Sequence, residues 1–404
     1  MKPFTFDTAH SIVFGAGVSG RIGELALQRL CGPASGEAAS DGANARVLLV
    51  TDQGVVAAHL LDPALRSLRA AGLATEVFDG VVADPPEAVV LAAVAQARAM
   101  RATAVIGFGG GSPMDTAKLV ALLARTGAAL GDIYGVGKAV GPRLPLMLVP
   151  TTAGTGSEVT PVAVVTTGAR EKQGVVSPLL LPDVALLDPE LTYGLPHHVT
   201  AATGVDAMVH AIEAHESLNP NNNPLSRLLA REALRLLGDG IRSAVREGTH
   251  PEARCQMMLG AMLAGQAFAN SPVAAVHALA YPVGAHFHVA HGLSNALVLP
   301  HVLRFNCETD GGAYAGVAPA LFPFLAGTPA SRRGLALADA LAHLIEEIGL
   351  PTRLRDVAAG NGNRAGREVL PGLARDAMKQ TRLLVNNPRP LSEADALGIY
   401  EAAW

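Results

Sequence analysis

The sequence predicts an α/β domain followed by an all-helical domain, and three observations carry that expectation. Over residues 46–150, short aliphatic and β-branched runs alternate with longer Ala/Leu-rich segments of helical spacing, the pattern of βαβ units around a parallel sheet. From residue 201 onward extended β-branched runs disappear and long amphipathic Ala/Leu/Arg/Glu patterns take over. The length, 404 residues, exceeds the size at which one hydrophobic core usually keeps growing, so two domains are expected. The boundary is placed near residue 190, giving domains 1–190 and 191–404.

Taken in order, ARVLLVTD reads as a buried strand, 63–71 as a helix, ATEVFDGV as a strand and 86–100 as a helix. TAVIGFGGG is a strand running into a turn, 114–125 a helix, and PLMLVPTT a further strand. Residues 162–167 with 184–187 suggest an antiparallel addition before the Pro-rich punctuation of LDPELTYGLP. The stretch PASGEAASDGANA, 33–45, is small and polar and cannot bury a face; it is expected as an exposed loop, open to disorder, between the first helix and its strand. No internal repeat is found.

Composition excludes several function classes. Half the residues are hydrophobic, 16% are charged and the mean hydropathy is +0.30, which raises the question of membrane spans. The longest apolar runs, around 144–149 and 175–187, are broken by Pro or Gly and fall far below the roughly 20 residues a spanning helix needs. A net charge of -4 with scattered Lys and Arg leaves no electrostatic footprint for nucleic acid or an anionic membrane. Cys31, Cys255 and Cys307 show no CxxC spacing, and MKPFTFDTAH has no apolar signal region, so a reducing, cytoplasmic setting and a small-molecule partner are expected.

Three glycine-rich segments compete as phosphate sites. GAGVSG, 15–20, satisfies G-x-G-x-x-G, but the low-complexity loop lies where a Rossmann acidic residue belongs, and an N-terminal turn is the preferred reading. GFGGGSPMDTAK is better placed: it follows a clear strand, Gly109, Gly110 and Gly111 let the backbone approach a diphosphate, and Ser112 with Pro113 supplies N-cap and first-turn chemistry. Lys118 sits too far inside the helix for a Walker A loop, which disfavours nucleotide hydrolysis. PTTAGTGSEVT, 150–160, sets small hydroxyls just past a buried strand, where ribose or nucleotide contacts are made.

The metal chemistry rests on one carboxylate and three imidazoles. Asp206 and His210, four residues apart in ATGVDAMVHAIEAH, share one face of a helix. His277 in SPVAAVHALAYPVG and His291 in HFHVAHGLSN stand among apolar or small residues. Together they form a borderline-hard donor set suited to Fe(II), Zn(II), Mn(II) or Co(II), although spacing alone does not show that the helices converge. His197, His198, His215, His250 and His343 fall in loops or polar faces, while His286 and His288 flank the set closely enough to support it.

GGGSPMDTAK, PTTAGTGSEVT, the DAMVHAIEA helix and HALAYPVGAHFHVAHGLSNALVLPHV, in that order, resemble the iron-containing (group III) alcohol dehydrogenases of the dehydroquinate synthase-like superfamily. The resemblance runs from SIVFGAG to VNNPR. It implies an N-terminal α/β domain holding NAD(P), an all-α C-terminal domain, metal and substrate in the cleft between them, and a homodimer. Residue by residue it implies metal ligands Asp206, His210, His277 and His291, with Fe(II) expected first and Zn(II) or Mn(II) as alternatives. It also implies cofactor contacts from Gly109, Gly110, Gly111, Ser112, Asp115, Thr151, Thr152, Thr155 and Lys172. Asp52, at the end of a strand where relatives hold the adenosine ribose, would repel a 2′-phosphate and favours NAD over NADP. The expected reaction is hydride transfer between a small alcohol or aldehyde and NAD(H), with the metal as Lewis acid.

Departures from the family pattern narrow the expectation. Where many members carry a histidine four residues after the third ligand, this chain has Tyr281, so proton transfer falls to Tyr281, His288, cofactor ribose or water. Phe268, Val162 and Val273 match pocket positions, and Val162 replaces a polar residue of diol-specific relatives, which favours an apolar primary alcohol or aldehyde. Two rivals share the fold: a metal-free reductase of the maleylacetate reductase type, and a dehydroquinate synthase-like lyase, which needs a basic cluster absent near the ligands.

Overall fold

The computed structural model describes residues 2–31, 45–168, 171–310, 312–357 and 366–404. The chain divides into two compact units: Asp7–Thr152 with Gly156–Gly194, and Met1–Phe6 with Ala153–Thr155 and Leu195–Trp404.

The first unit is α/β. Its strands are β1 Ser11–Phe14, β2 Arg46–Asp52, β3 Ala74–Val81, β4 Ala104–Gly109, β5 Gly135–Val136, β6 Leu146–Pro150, β7 Val162–Thr167, β8 Glu171–Val176 and β9 Val184–Leu187. Its helices are α1 Ile22–Arg29, α2 Gln53–Ala57, α3 Asp62–Ala70, α4 Glu87–Ala99 and α5 Gly111–Thr126. Six strands form a parallel sheet in the order β1-β9-β6-β4-β2-β3.

Alternation along each strand sends side chains to both faces of this sheet. Leu48, Val50, Val105, Leu146 and Leu148 pack against Val90 and Val94 of α4 and Met114 and Val120 of α5. Val47, Leu49, Ile106, Phe108, Met147 and Val149 pack on the other side against Ile22 and Ala26 of α1 and Ala64 and Leu68 of α3. With both faces covered, β4, β6 and β9 are buried at every position, which is why they read as unbroken apolar runs.

Two expectations need correction here. Residues 162–167 and 184–187 do not pair. β7 pairs antiparallel with β8 in a separate sheet of order β5-β8-β7, while β9 is inserted parallel between β1 and β6. The partner of β7, EKQGVV, carries Lys, Gln and Gly, and so lacks the apolar signal that marks a strand in sequence. Helix α5 also begins earlier than residue 114: Gly110, in extended conformation, is its N-cap and no side chain caps it. Ser112 is therefore inside the first turn rather than capping it, and Pro113 sits where its missing N–H leaves no intrahelical bond unmade. The polar loop expected at 33–45 lies outside the described residues, apart from Ala45, which is buried.

The second unit is helical: α6 His197–Glu216, α7 Pro224–Arg246, α8 Pro251–Asn270, α9 Ala275–Phe287, α10 His291–Cys307, α11 Ala318–Leu321, α12 Ala330–Glu347, α13 Leu370–Ala377, α14 Thr381–Leu384 and α15 Glu393–Ala402. Helix α6 is its centre. Nearly every residue from Thr200 to Ala214 is buried, because α7, α8 and α10 all pack on it. Among the described residues no helix is long and apolar enough to cross a membrane.

Candidate metal centre

Helices α6, α9 and α10 bring Asp206, His210, His277 and His291 together. One donor atom from each lies within 4.8 Å of all the others. The Nε2 atoms of His210, His277 and His291 stand 3.9, 3.9 and 3.6 Å from Asp206 Oδ1. Ligand bonds of about 2.1 Å put tetrahedral donors about 3.4 Å apart, so this cluster is close to the size a first-row divalent ion requires.

Its electrostatics suit a cation. Burial lowers the pKa of His210, opposed by Asp206, and takes that of His277 well below its ordinary value, the direction that frees imidazole lone pairs for a cation. Burial pushes Asp206 upward, but the three imidazoles and Asn295 outweigh it and hold the carboxyl below its usual range. Asp206, His210 and His277 are buried, whereas the His291 side chain is 34% exposed, so the cluster opens on the His291 side.

Other residues complete the surround. Phe268 stacks on His210 with ring centroids 4.3 Å apart, and Val273 is buried in the segment leading into α9. The Tyr281 ring centroid is 5.6 Å from that of His291 and 6.4 Å from that of His277. His288 is not among the cluster's donors: it is an exposed residue in left-handed conformation that ends α9.

The glycine-rich segments have different fates in the α/β unit. The amides of Gly17 and Ser19 donate to Asp188 Oδ1 and Oδ2 at 3.0 and 2.9 Å, so the first segment is a turn held by the protein's own carboxylate. The second and third segments lie side by side at the C-terminal ends of β4 and β6, where Thr151 N–H donates to the Gly109 carbonyl at 2.9 Å.

Gly109 has φ +150° there, and a Cβ on it would meet Pro113 Cγ at 2.7 Å and Asp52 Oδ2 at 3.4 Å, so the turn needs glycine and passes directly beside Asp52. Asp52 accepts the Val55 amide at 2.9 Å as the N-cap of α2. Thr152 Oγ1, buried and without a hydrogen-bond partner, stands 3.6 Å from the space beside Gly110. A bare glycine turn at the N-terminus of the sixteen-residue α5, with an unsatisfied hydroxyl beside it, fits a diphosphate.

Asp115 ties α5 to the neighbouring loop and strand. Its Oδ1 accepts from Ser157 Oγ at 2.6 Å and its Oδ2 from the Val164 amide at 3.0 Å. Lys118, fully buried, donates from Nζ to Ser157 Oγ, Thr160 Oγ1 and the Val162 carbonyl at 2.8, 3.2 and 2.7 Å. Helix α5 is thereby bound to the hydroxyl-rich loop and to Val162 of β7. Thr155 belongs to the helical unit, and Lys172 on β8 forms an ion pair with Asp84 at 2.6 Å.

Comparison with known proteins decides the family. The model described as "Iron-containing alcohol dehydrogenase" matches residues 10–189, and "Fe-containing alcohol dehydrogenase family, C-terminal" matches residues 200–404. The chain belongs to the iron-containing alcohol dehydrogenase family. It is 41% identical over 364 residues to long-chain-alcohol dehydrogenase 1 of Geobacillus thermodenitrificans (strain NG80-2), covering 89% of each chain. The crystal structure of a 1,3-propanediol oxidoreductase superposes with a TM-score of 0.90 at 32% identity, covering all of both chains. That of sulfoacetaldehyde reductase from Bifidobacterium kashiwanohense in complex with NAD+ superposes with a TM-score of 0.84 at 28% identity, covering 100% of this chain and 99% of the other. As a member of this family the protein is an oxidoreductase acting on CH–OH groups.

For an iron-containing alcohol dehydrogenase, sequence reasoning missed three residues at the cluster. Glu213, one turn beyond His210 on α6, lies 2.6 Å from His277 Nδ1 through Oε2, and its spacing of seven from Asp206 is a usable signal. Asn295, one turn beyond His291 on α10, donates to Asp206 Oδ1 at 2.6 Å. Gly292 follows His291 because a Cβ there would meet the Ala202 carbonyl oxygen at 2.2 Å, so only glycine lets α10 approach α6 closely.

Proposed function

We propose that the protein is a metal-dependent alcohol dehydrogenase exchanging hydride between NAD(H) and a small, largely apolar primary alcohol or its aldehyde. The observation that carries this reading is the convergence of Asp206 with three imidazoles from three helices, buried except at His291. The same convergence counts against a metal-free reductase. A divalent ion held there supplies Lewis acidity toward a substrate oxygen. Iron is the first candidate from the family, with zinc and manganese as alternatives of similar donor preference.

In this reading the helical unit, residues 191–404 in the sequence division, holds metal and substrate, and residues 1–190 hold NAD. Gly109, Gly110, Gly111 and Ser112 take the pyrophosphate at the N-terminus of α5. Thr151, Thr152 and Thr155 line the cofactor, and Lys172 contacts it on leaving Asp84. The Asp52 carboxylate faces the adenosine ribose and selects against a 2′-phosphate. Asp115 fixes the hydroxyl loop that these contacts need.

The NAD+ complex of a sulfoacetaldehyde reductase and the long-chain-alcohol and 1,3-propanediol names of the other relatives support the cofactor and the substrate class. Phe268, Val273 and Val162 supply apolar wall. Tyr281 is preferred over the exposed His288 as the proton route, supported by the nearness of its ring to His291. A homodimer in a reducing, cytoplasmic setting completes the proposal.

The test is metal analysis of freshly purified protein, followed by chelation and reloading with Fe(II), Zn(II) or Mn(II), with NADH absorbance at 340 nm followed against a panel of aldehydes. Activity lost on chelation and restored by one ion is expected. Constant absorbance across the panel at every metal loading refutes the proposal.

A further inference from the structure

Helix α9 carries His277 at its third residue, yet it begins without a side-chain cap of its own: Ala274 precedes it with φ −135° and ψ −131°. The first amides of a helix have no intrahelical acceptor and must find one elsewhere. Glu213 provides it from α6. Its Oε1 accepts the Val276 N–H at 2.6 Å, and its Oε2 lies 2.6 Å from His277 Nδ1. The side chain is 5% exposed, and both oxygens are engaged with α9.

Asp206, His210 and Glu213 lie at i, i+4 and i+7, one face of one helix, so the element that supplies two donors to the cluster also grips a third. An ionised Glu213, acceptor-only, requires the proton at Nδ1. That leaves the Nε2 lone pair of His277, 3.9 Å from Asp206 Oδ1, directed into the cluster. A negative group at the N-terminus of α9 is also favoured by the helix dipole.

We propose that Glu213 is a positioning residue of the metal centre: by capping α9 and holding the Nδ1–H of His277, it fixes which imidazole nitrogen faces the ion and so sets metal affinity. This rests on the metal reading of the cluster. Groups that orient a ligating histidine in this way typically change metal affinity about 10–100-fold when removed. Glu213→Gln keeps the volume, but its amide has one acceptor where the carboxylate has two. It can satisfy Val276 or His277, and an amide nitrogen turned toward His277 demands the opposite tautomer.

The experiment is Zn(II) competition against a chromophoric chelator with metal-stripped wild type and Glu213→Gln, together with 15N NMR of the imidazoles in Zn(II)-loaded wild type. Expected are a Kd for Zn(II) raised about 10–100-fold in the variant and a wild-type His277 protonated at Nδ1 and ligating through Nε2. A variant Kd within twofold of wild type overturns the inference, even if its thermal stability falls, because a purely structural role moves stability alone. If the variant does not fold, the wild-type tautomer decides, and protonation at Nε2 overturns the inference. Wild type that binds no Zn(II) refutes the metal reading itself, a result separate from wild type binding and the variant binding equally.

Discussion

Replacing Lys118 by Met tests whether the buried ammonium holds the α/β unit's two site loops together. Met preserves nearly the same volume, so packing is largely unchanged and the substitution isolates charge and hydrogen bonding. The fully buried Nζ makes three hydrogen bonds at 2.7–3.2 Å and lies 3.5 Å from Asp115. Hydrogen bonds to a charged group are worth about 1.5–3 kcal/mol each, so three give roughly 5–9 kcal/mol. Against this stands the cost of burying the ammonium, which lowers the Lys118 pKa and amounts to several kcal/mol.

The net loss expected for Lys118→Met is therefore about 3 kcal/mol, in line with losing one member of a buried ion pair. Hydrogen exchange read by mass spectrometry is the suitable assay, because peptides from α5 and β7 report the affected unit directly. Protection should fall there by about 3 kcal/mol and stay unchanged in α7, which belongs to the helical unit. A loss below about 1 kcal/mol in α5 and β7 would refute the view that this ammonium ties loop to helix.

Gly292→Ala forces a methyl to within 2.2 Å of the Ala202 carbonyl oxygen and 3.3 Å of Asp206 Cβ, so α10 must retreat from α6 and carry His291 with it. We expect about 1–3 kcal/mol of destabilisation and weaker Zn(II) binding; wild-type binding in a chelator competition would count against the close approach. Burial raises the Glu158 pKa from 4.5 to about 7, opposed by its own backbone amide and by Lys118, so the folded chain holds this proton more tightly than the unfolded one. The resulting stability is complete below about pH 4.5 and is lost as pH rises through about 7. Glu158→Gln should remove that slope, worth about 3 kcal/mol at 1.4 kcal/mol per pH unit, in denaturation curves at pH 5 and 8; parallel pH dependence in both proteins contradicts it. Asp52→Asn keeps an acceptor for the Val55 amide while removing the charge, and kcat/KM for NADPH relative to NADH should rise about tenfold, the effect of roughly 1.4 kcal/mol. An unchanged cofactor ratio would remove Asp52 from the ribose site.

Much of the fold was legible because its signals are local. An α/β part followed by a helical part follows from hydrophobic period, and β4, β6 and β9 announce themselves as unbroken apolar runs because both faces of the sheet are covered. β7 shows where that logic ends. Strand pairing is a long-range choice, and the hydrogen bonds β7 makes to the polar strand β8 leave no imprint on the hydrophobic pattern. The start of α5 escapes local reading for a related reason: Ser112 is a good cap by type, but the backbone turns at Gly110, where the strand has to pass Asp52 and Pro113.

The sequence by itself determined the residue types and the local spacing of the metal cluster: an i, i+4 carboxylate–imidazole pair on α6, two more histidines in apolar surroundings, and the family to which their order belongs. Only the tertiary structure decided that three helices converge so that four donors lie within 4.8 Å, that Asn295 and Glu213 grip two of them, and that His288 stands outside. The physical reason is that helical periodicity sets which residues share a face, whereas the approach of one helix to another depends on small residues such as Gly292 and on packing between segments far apart in the chain, which no local pattern encodes.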